Sequence, residues 1–193
     1  MLHTPIAREA SPGALALGLA STIRGSEGSR DEISSAADLG AWLERHRDIL
    51  GDVEPEVALR LADFRVLRET IRALFLAAVA DESFPAEAVR AVNEVSAAVP
   101  THLRLVVSDP REPRAALGSR GGSRTAEILA AVARSAIEIL GGPGRARLRA
   151  CPASRCGRFF ITTRAGQVWC SNACGNRVRV ARHHARTAEV RTG

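Results

Sequence analysis

The segments Cys151-Pro-Ala-Ser-Arg-Cys156-Gly-Arg-Phe-Phe160 and Trp169-Cys170-Ser-Asn-Ala-Cys174-Gly-Asn-Arg177 contain every cysteine of a chain of 193 residues. Four residues separate the first pair, three separate the second, and thirteen lie between the pairs. Two close pairs joined by a short loop give the layout of a four-thiolate zinc site. Each pair is local enough to present two sulfurs to one tetrahedral ion, and the loop can return the chain to it. Four thiolates, from Cys151, Cys156, Cys170 and Cys174, would fill the tetrahedron and leave no position for substrate or an activated water. The expected zinc is therefore single and structural. Two alternatives stay open at this point: a pair of disulfides, which would need an oxidising compartment, and unrelated buried thiols that merely fall within 24 of 193 positions.

The intervening residues suit a metal knuckle. Gly157 offers a positive φ after Cys156, Phe159 to Thr162 read as a short strand, Ala165-Gly166 as a turn, and Gln167 to Trp169 lead back to Cys170. Ser171 is a suitable N-cap for a helix running to about Arg186. On that helix Val178, Ala181 and Ala185 fall on one stripe, and Arg179, Arg182 and Arg186 on another. Phe159 or Phe160, with Trp169 and Val178, would form a small core against the metal. Knuckle, hairpin and helix is the order of a treble-clef zinc fold.

With these residues in view, the C-terminal region resembles the bacterial CGNR zinc finger, named for the tetrapeptide found here as Cys174-Gly175-Asn176-Arg177. Cys156-Gly157-Arg158-Phe159-Phe160, Trp169-Cys170-Ser171, and Arg182-His183 with Arg186 belong to the same likeness. The second cysteine pair is one residue closer than is usual in that family.

Charge is divided unevenly. All 27 basic residues other than histidine are arginine; eleven of them and one of the 21 acids fall in 145–193, so that segment carries +10 and the remainder −4. A mildly acidic body with a strongly basic tail points to a polyanionic partner for the tail. The plainer reading is a solvated helix that docks on an acidic protein or on its own body. No stretch is long and apolar enough for a membrane span, and Glu9, Pro12 and Gly13 interrupt the approach to the only signal-like run, Ala14 to Ala20. Reduced thiols for zinc imply the cytoplasm.

Upstream, the chain reads as mainly α. Residues 1–11 look loosely attached. A short helix from Pro12 to Ile23 ends in the Gly25 to Ser29 loop, and a second carries Leu39, Trp42, Leu43, His46, Ile49 and Leu50 on one face. His46 reads as an edge-of-core histidine. The longest helix begins near Pro55 and reaches about Ala80, a rod of about 39 Å. Its core stripe is Val57, Leu61, Phe64, Leu67, Ile71, Leu74, Phe75 and Ala78, with Arg60, Arg65, Arg68 and Arg72 on its solvent face. Some of those arginines could alternatively build an anion site. Ala86 to Val99 and Thr125 to Leu140 are further helices, His102 to Val107 is a strand, Gly118 to Ser123 is a flexible connection, and Gly141 to Gly144 is a hinge.

Leu15-Ala16-Leu17-Gly18-Leu19-Ala20-Ser21-Thr22, then Ala37 to Leu43, then the long Leu/Arg helix resemble the mainly helical ABATE domain that precedes CGNR fingers. Family members tend to have Asp and Asn where this chain has Gly18 and Ser21. The expected organisation is a helical domain with one or two short strands over 12–140, a Gly/Arg-rich hinge over 141–149, and a treble-clef-like zinc finger over 150–187.

The resemblance implies a transcription regulator. The finger would grip DNA through Arg177, Arg179, Arg182, His183 and Arg186, the body would sense a ligand or dimerise, and a homodimer would supply the contact area that one short helix lacks. The alternative is an RNA-associated or protein-interaction module. The body shows no nucleophile-base pair, phosphate loop or paired carboxylates, so an enzyme is not expected.

Overall fold

The computed structural model describes residues 6–7, 13–25, 30–107, 109 and 111–192, with the side chains of all of these except 6, 7, 116, 117 and 185–192. In chain order the body comprises β1 (Ile6–Ala7), α1 (Ala14–Ala20), β2 (Ile23–Arg24), β3 (Arg30–Asp31), α2 (Ala36–Arg45) and α3 (Arg47–Leu50). A 3-10 segment over Pro55–Arg60 opens into α4 (Leu61–Ala80), followed by α5 (Ala86–Ala97), β4 (Thr101–Val106), β5 (Arg114–Ser119) and α6 (Arg124–Gly141). The C-terminal part holds a second 3-10 turn (Arg145–Arg147), β6 (Leu148–Ala150), β7 (Phe159–Ile161) and α7 (Asn172–Thr192). The chain is thus mainly helical with short strands, as its periodicity implies. Of residues 1–11, expected to be loosely attached, 6–7 pair with β5 and the others lie outside the described residues.

The rod begins later than Pro55 suggests. Its first six residues wind as a 3-10 segment, a tighter turn that brings both Val57 and Ala58 into the core. The α-helical part is twenty residues, about 30 Å long. It packs against α1, α5, α6 and β6, burying Phe64, Leu67, Ile71, Leu74 and Phe75. Around it Leu19, Ile33, Leu39, Trp42, Leu50 and Ile128 are fully enclosed.

Local chemistry sets the boundaries. At the start of α2 the Ser35 hydroxyl accepts from the Asp38 amide at 3.2 Å, while the Asp38 carboxylate accepts from the Ser35 amide at 2.9 Å. This is a reciprocal capping box. The second helix is interrupted at His46, whose Nδ1 donates to the Trp42 carbonyl at 2.8 Å. Its ring lies half-buried, 4.3 Å from the Trp42 ring centroid, and desolvation lowers its pKa. Gly18 makes room for that ring: a Cβ there would sit 2.6 Å from Nε2.

β4 occupies the expected stretch, but its partner does not. Residues 114–119, Arg-Ala-Ala-Leu-Gly-Ser, contain no β-branched or aromatic residue, and the last two fall in the expected flexible connection of Gly118 to Ser123. They nevertheless pair antiparallel with β4, from Thr101↔Ser119 to Val106↔Arg114. The first helix likewise stops at Ala20, and Ile23–Arg24 pairs with Arg30–Asp31 as a small hairpin.

The expected solvent face holds for Arg60, which is exposed and pairs with Asp63 at 2.7 Å, but not for Arg65, Arg68 and Arg72. Arg68 is 4% exposed, with Nη1 and Nη2 donating to Asp31 at 2.6 and 2.9 Å, Nη1 to the Thr22 hydroxyl at 3.2 Å, and Nε to Glu69 at 2.9 Å. Arg65 donates to the carbonyls of Ile33 and Ser34, and Arg72 to that of Ala20. α4 is covered on more than its apolar side, so its arginines tie down the chain that crosses it. Asp31, an internal anion, meets both Arg68 and, at 3.5 Å, Arg65. A second enclosed pair, Arg124 and Glu127 at 3.0 Å, each 6% exposed, joins the start of α6 to the Leu50 carbonyl and the Ser119 hydroxyl.

Candidate metal centre and basic helix

β6 and β7 pair antiparallel, with Leu148 opposite Ile161 and Ala150 opposite Phe159. Because successive strand residues face opposite ways, the two phenylalanines part company. Phe160 packs with Cys151, Ala153, Cys156 and Cys174, flanked by Trp169 and Val178. Phe159 and Leu148 instead join the core of the body. Phe159 meets Phe75 edge-on with ring centroids 5.4 Å apart, a geometry worth about 0.5–1.5 kcal/mol beyond its burial. The Arg72 guanidinium lies over the Phe159 ring, 5.5 Å from its centroid.

The Ser21 hydroxyl fastens this hairpin, accepting from the Phe159 amide at 3.1 Å and lying 3.4 Å from its carbonyl oxygen. Ser21 thus holds the edge of the C-terminal hairpin against the end of α1.

Between the strands, Cys151 N donates to the Arg158 carbonyl at 2.8 Å and Cys156 N to that of Ala153 at 3.0 Å, forming a tight knuckle. Arg155 and Gly157 both take positive φ, 61° and 68°. A Cβ at Gly157 would also lie 2.6 Å from the Ile23 carbonyl oxygen, so glycine is required there by conformation and by the approach of the β2–β3 hairpin. Gly157→Ala is expected to cost about 1–3 kcal/mol and to loosen the knuckle from the body. A thermal melt together with amide exchange at Phe159 measures it, and a variant with unchanged protection would refute the close approach.

The segment that leads back to Cys170 is irregular rather than a strand, and in it the Gln167 side chain bridges Thr163 N and the Trp169 carbonyl. Ser171 accepts from the Cys174 amide at 3.3 Å, which caps α7 as its sequence implies. Gly175 lets the Trp169 indole approach: a Cβ there would be 3.0 Å from the ring.

These turns bring the four sulfurs together. All lie within 4.8 Å of one another, with Cys156–Cys170 at 3.5 Å, Cys156–Cys174 at 3.5 Å and Cys170–Cys174 at 3.6 Å. Such separations are far beyond a disulfide bond, and all four thiols are free. They approach the edge of about 3.8 Å that a tetrahedral zinc–thiolate site has. The donor set fits one zinc ion.

As bare thiols the group is electrostatically awkward. Burial pushes Cys156 up to about 12 and raises Cys170 as well. Cys174 is lowered, burial notwithstanding, by hydrogen bonds from Ser171 and its neighbouring thiols. A divalent cation reverses the balance by stabilising every thiolate at once.

Residues 13–143 match the family model ABATE, described as "Putative stress-induced transcription regulator", and residues 147–187 match zf-CGNR, described as "CGNR zinc finger". The chain belongs to the ABATE family. It carries a CGNR zinc finger at its C-terminal end. No curated protein matches it. Both descriptions are of a regulator and a zinc finger rather than of an enzyme, and among the described residues no helix is long and apolar enough to cross a membrane.

In this ABATE–CGNR chain the residues expected to meet nucleic acid are placed unequally. Arg177 donates to the Ser154 carbonyl at 3.2 Å, turned back toward the knuckle. Arg179 hydrogen-bonds Asn176. Arg182 and His183 are exposed, and the His183 and His184 rings lie 6.1 Å apart. The backbone of α7 continues through Arg186, whose side chain lies outside the described residues. From Asn176 to His184 every residue except Val178 is exposed, so α7 leaves the finger as a basic rod.

Sequence reasoning missed the surroundings of the rod's base. Arg155 and Arg158 on the knuckle, with Arg177, face Arg24 and Arg30 of the β2–β3 hairpin across a cavity. The first three stand in the basic tail and could have been weighed from its charge. Nothing local links them to residues more than a hundred positions upstream.

Proposed function

We propose that this protein is a cytoplasmic, DNA-binding transcription regulator. In this reading Cys151, Cys156, Cys170 and Cys174 hold one structural zinc, the finger presents α7 to nucleic acid, and the helical body senses a ligand or dimerises. The observation that carries the proposal is the exposure of α7 from Arg179 to His184 within a segment of net charge +10. Arginine on an exposed, metal-anchored helix is suited to phosphate contact. Arg182, His183 and Arg186 act first, with Arg177 and Arg179 exchanging their internal acceptors for phosphate. One helix offers little area, so specificity would come from a homodimer.

Fluorescence-anisotropy titration of the zinc-loaded chain against generic duplex DNA at several salt concentrations tests the proposal. About five phosphate contacts give a logarithmic salt slope near −4.5. A slope near zero would refute a phosphate grip. Structured RNA as competitor separates the duplex reading from an RNA-associated one.

A further inference from the structure

The seam between the β2–β3 hairpin, the knuckle and the start of α7 encloses a cavity of about 500 Å³. Among the described residues five arginines line it, Arg24 and Arg30 from the body and Arg155, Arg158 and Arg177 from the finger, against one acid, Glu32. Glu32 is committed to Arg24 through contacts of 2.8 and 3.3 Å. The other four guanidiniums belong to exposed residues; of those four, Arg177 donates to the Ser154 carbonyl.

Four exposed cations from three separate segments build a positive potential that water and salt screen in part and that an anion joining them would lower further. A zinc–thiolate centre with four sulfurs carries two net negative charges and lies behind Cys156 and Cys174 in the cavity wall, so it offsets part of this excess. It leaves about two positive charges facing the cavity. The volume falls within the range of small-molecule sites, and planar guanidiniums supplied by three segments around one cavity suit the oxygens of a phosphate group.

We propose that this cavity binds a phosphate group, bridging the ABATE body and the CGNR finger. Its floor is shared with a larger adjoining cleft of about 760 Å³, which also includes Arg24, Arg30 and Arg158 and continues past Ser21 to Trp42 and His46. A phosphorylated small molecule would therefore place its phosphate between body and finger and the rest of its structure against the body. A terminal phosphate of nucleic acid presents the same chemistry to the arginines. The inference rests on the regulatory reading above only for its consequence, that occupancy stiffens the seam and changes how α7 is presented. The binding itself stands on the cavity.

The test uses the zinc-loaded full chain with inorganic phosphate as probe and chloride at matched ionic strength as control, read by thermal shift and by intrinsic tryptophan fluorescence. Saturable phosphate binding is expected in the parent, weakened about tenfold or more in Arg30→Gln/Arg158→Gln by loss of two charge-assisted contacts, and unchanged in Arg179→Gln/Arg182→Gln on the rod. Both replaced pairs are exposed, and unaltered zinc content certifies the fold; Arg155→Gln provides a second cavity variant.

Duplex DNA affinity, measured on the same proteins, identifies the source. If the cavity variants lose phosphate and keep DNA, the ligand is a free phosphorylated molecule. If phosphate competes with DNA and the cavity variants weaken both, the ligand is nucleic acid. Phosphate effects no larger than those of chloride, or equal in parent and cavity variants, would overturn the proposal. A failure of the rod variants to weaken DNA binding would count against the proposed function alone.

Discussion

Cys170→Ser is expected to abolish stoichiometric zinc and to unfold the finger while leaving the body helical. The cluster around the thiols consists of Cys151, Ala153, Cys156, Phe160 and Cys174, with only Trp169, Cys170 and Val178 packed on it. So few apolar groups cannot offset the conformational entropy of about forty residues. The free energy of metal binding, about 10–16 kcal/mol for structural zinc in small peptides near neutral pH, then serves as the folding free energy of the module. Cys170 is the half-buried member of the four, so serine there removes a ligand with little disturbance of packing.

The β6–β7 hairpin has additional support, because Leu148 and Phe159 belong to the core of the body. Loss of protection should therefore concentrate in 162–192. Metal analysis, near-ultraviolet dichroism of Trp169 and hydrogen exchange resolved by segment measure the three parts of this expectation. A variant that keeps one zinc per chain, or a parent that takes up none, would contradict the four-cysteine site.

Asp31→Ala is expected to destabilise the body by about 3 kcal/mol, the cost of leaving an enclosed Arg68 with the exposed Glu69 carboxylate as its remaining counter-charge. For a chain of this size that lowers the melting temperature by about 6–12 °C. Arg68 is 4% exposed and Asp31 23%, so water reaches the carboxylate more readily than the guanidinium, and the penalty falls on the arginine. Replacing both, as Asp31→Ala with Arg68→Met, should recover most of the loss, since removing an enclosed pair is far less harmful than orphaning half of it. A single variant within about 0.5 kcal/mol of the parent would place it among ordinary surface substitutions and contradict the pairing.

The same carboxylate gives a pH signature. Burial opposes its ionisation, but hydrogen bonds from Arg68 and the Ile33 amide, with the charges of Arg68 and Arg65, hold it below its ordinary 3.8. A carboxylate whose folded pKa is depressed contributes stability that is fully present above its unfolded value and is lost as pH falls through the folded one. The difference in stability between parent and Asp31→Ala should therefore be constant near neutrality and shrink below about pH 4.

The zinc finger was legible because its information is local. Four cysteines, a glycine in the knuckle and a serine before α7 define the site within a short segment, and each acts on neighbours a few residues away. The division between Phe159 and Phe160 was half legible: strand alternation requires them to face opposite ways, but which one meets the metal depends on where the body lies. β5 was illegible for the opposite reason. Its residues carry no strand preference, and their pairing with β4 supplies the hydrogen bonds that fix their conformation.

Sequence by itself determined the helical class, the metal-binding knuckle, the capped basic helix and the opposite charges of body and tail. These depend on spacing, periodicity and composition, which act over a turn or two of chain. The tertiary structure alone decided that Arg68 is enclosed with Asp31, that Phe159 anchors the finger to Phe75, and that Arg30 faces Arg158 across a cavity. Those outcomes depend on which surfaces cover one another. An arginine exposed on an isolated helix becomes a buried tie only when a distant hairpin crosses it, and no local pattern records that crossing.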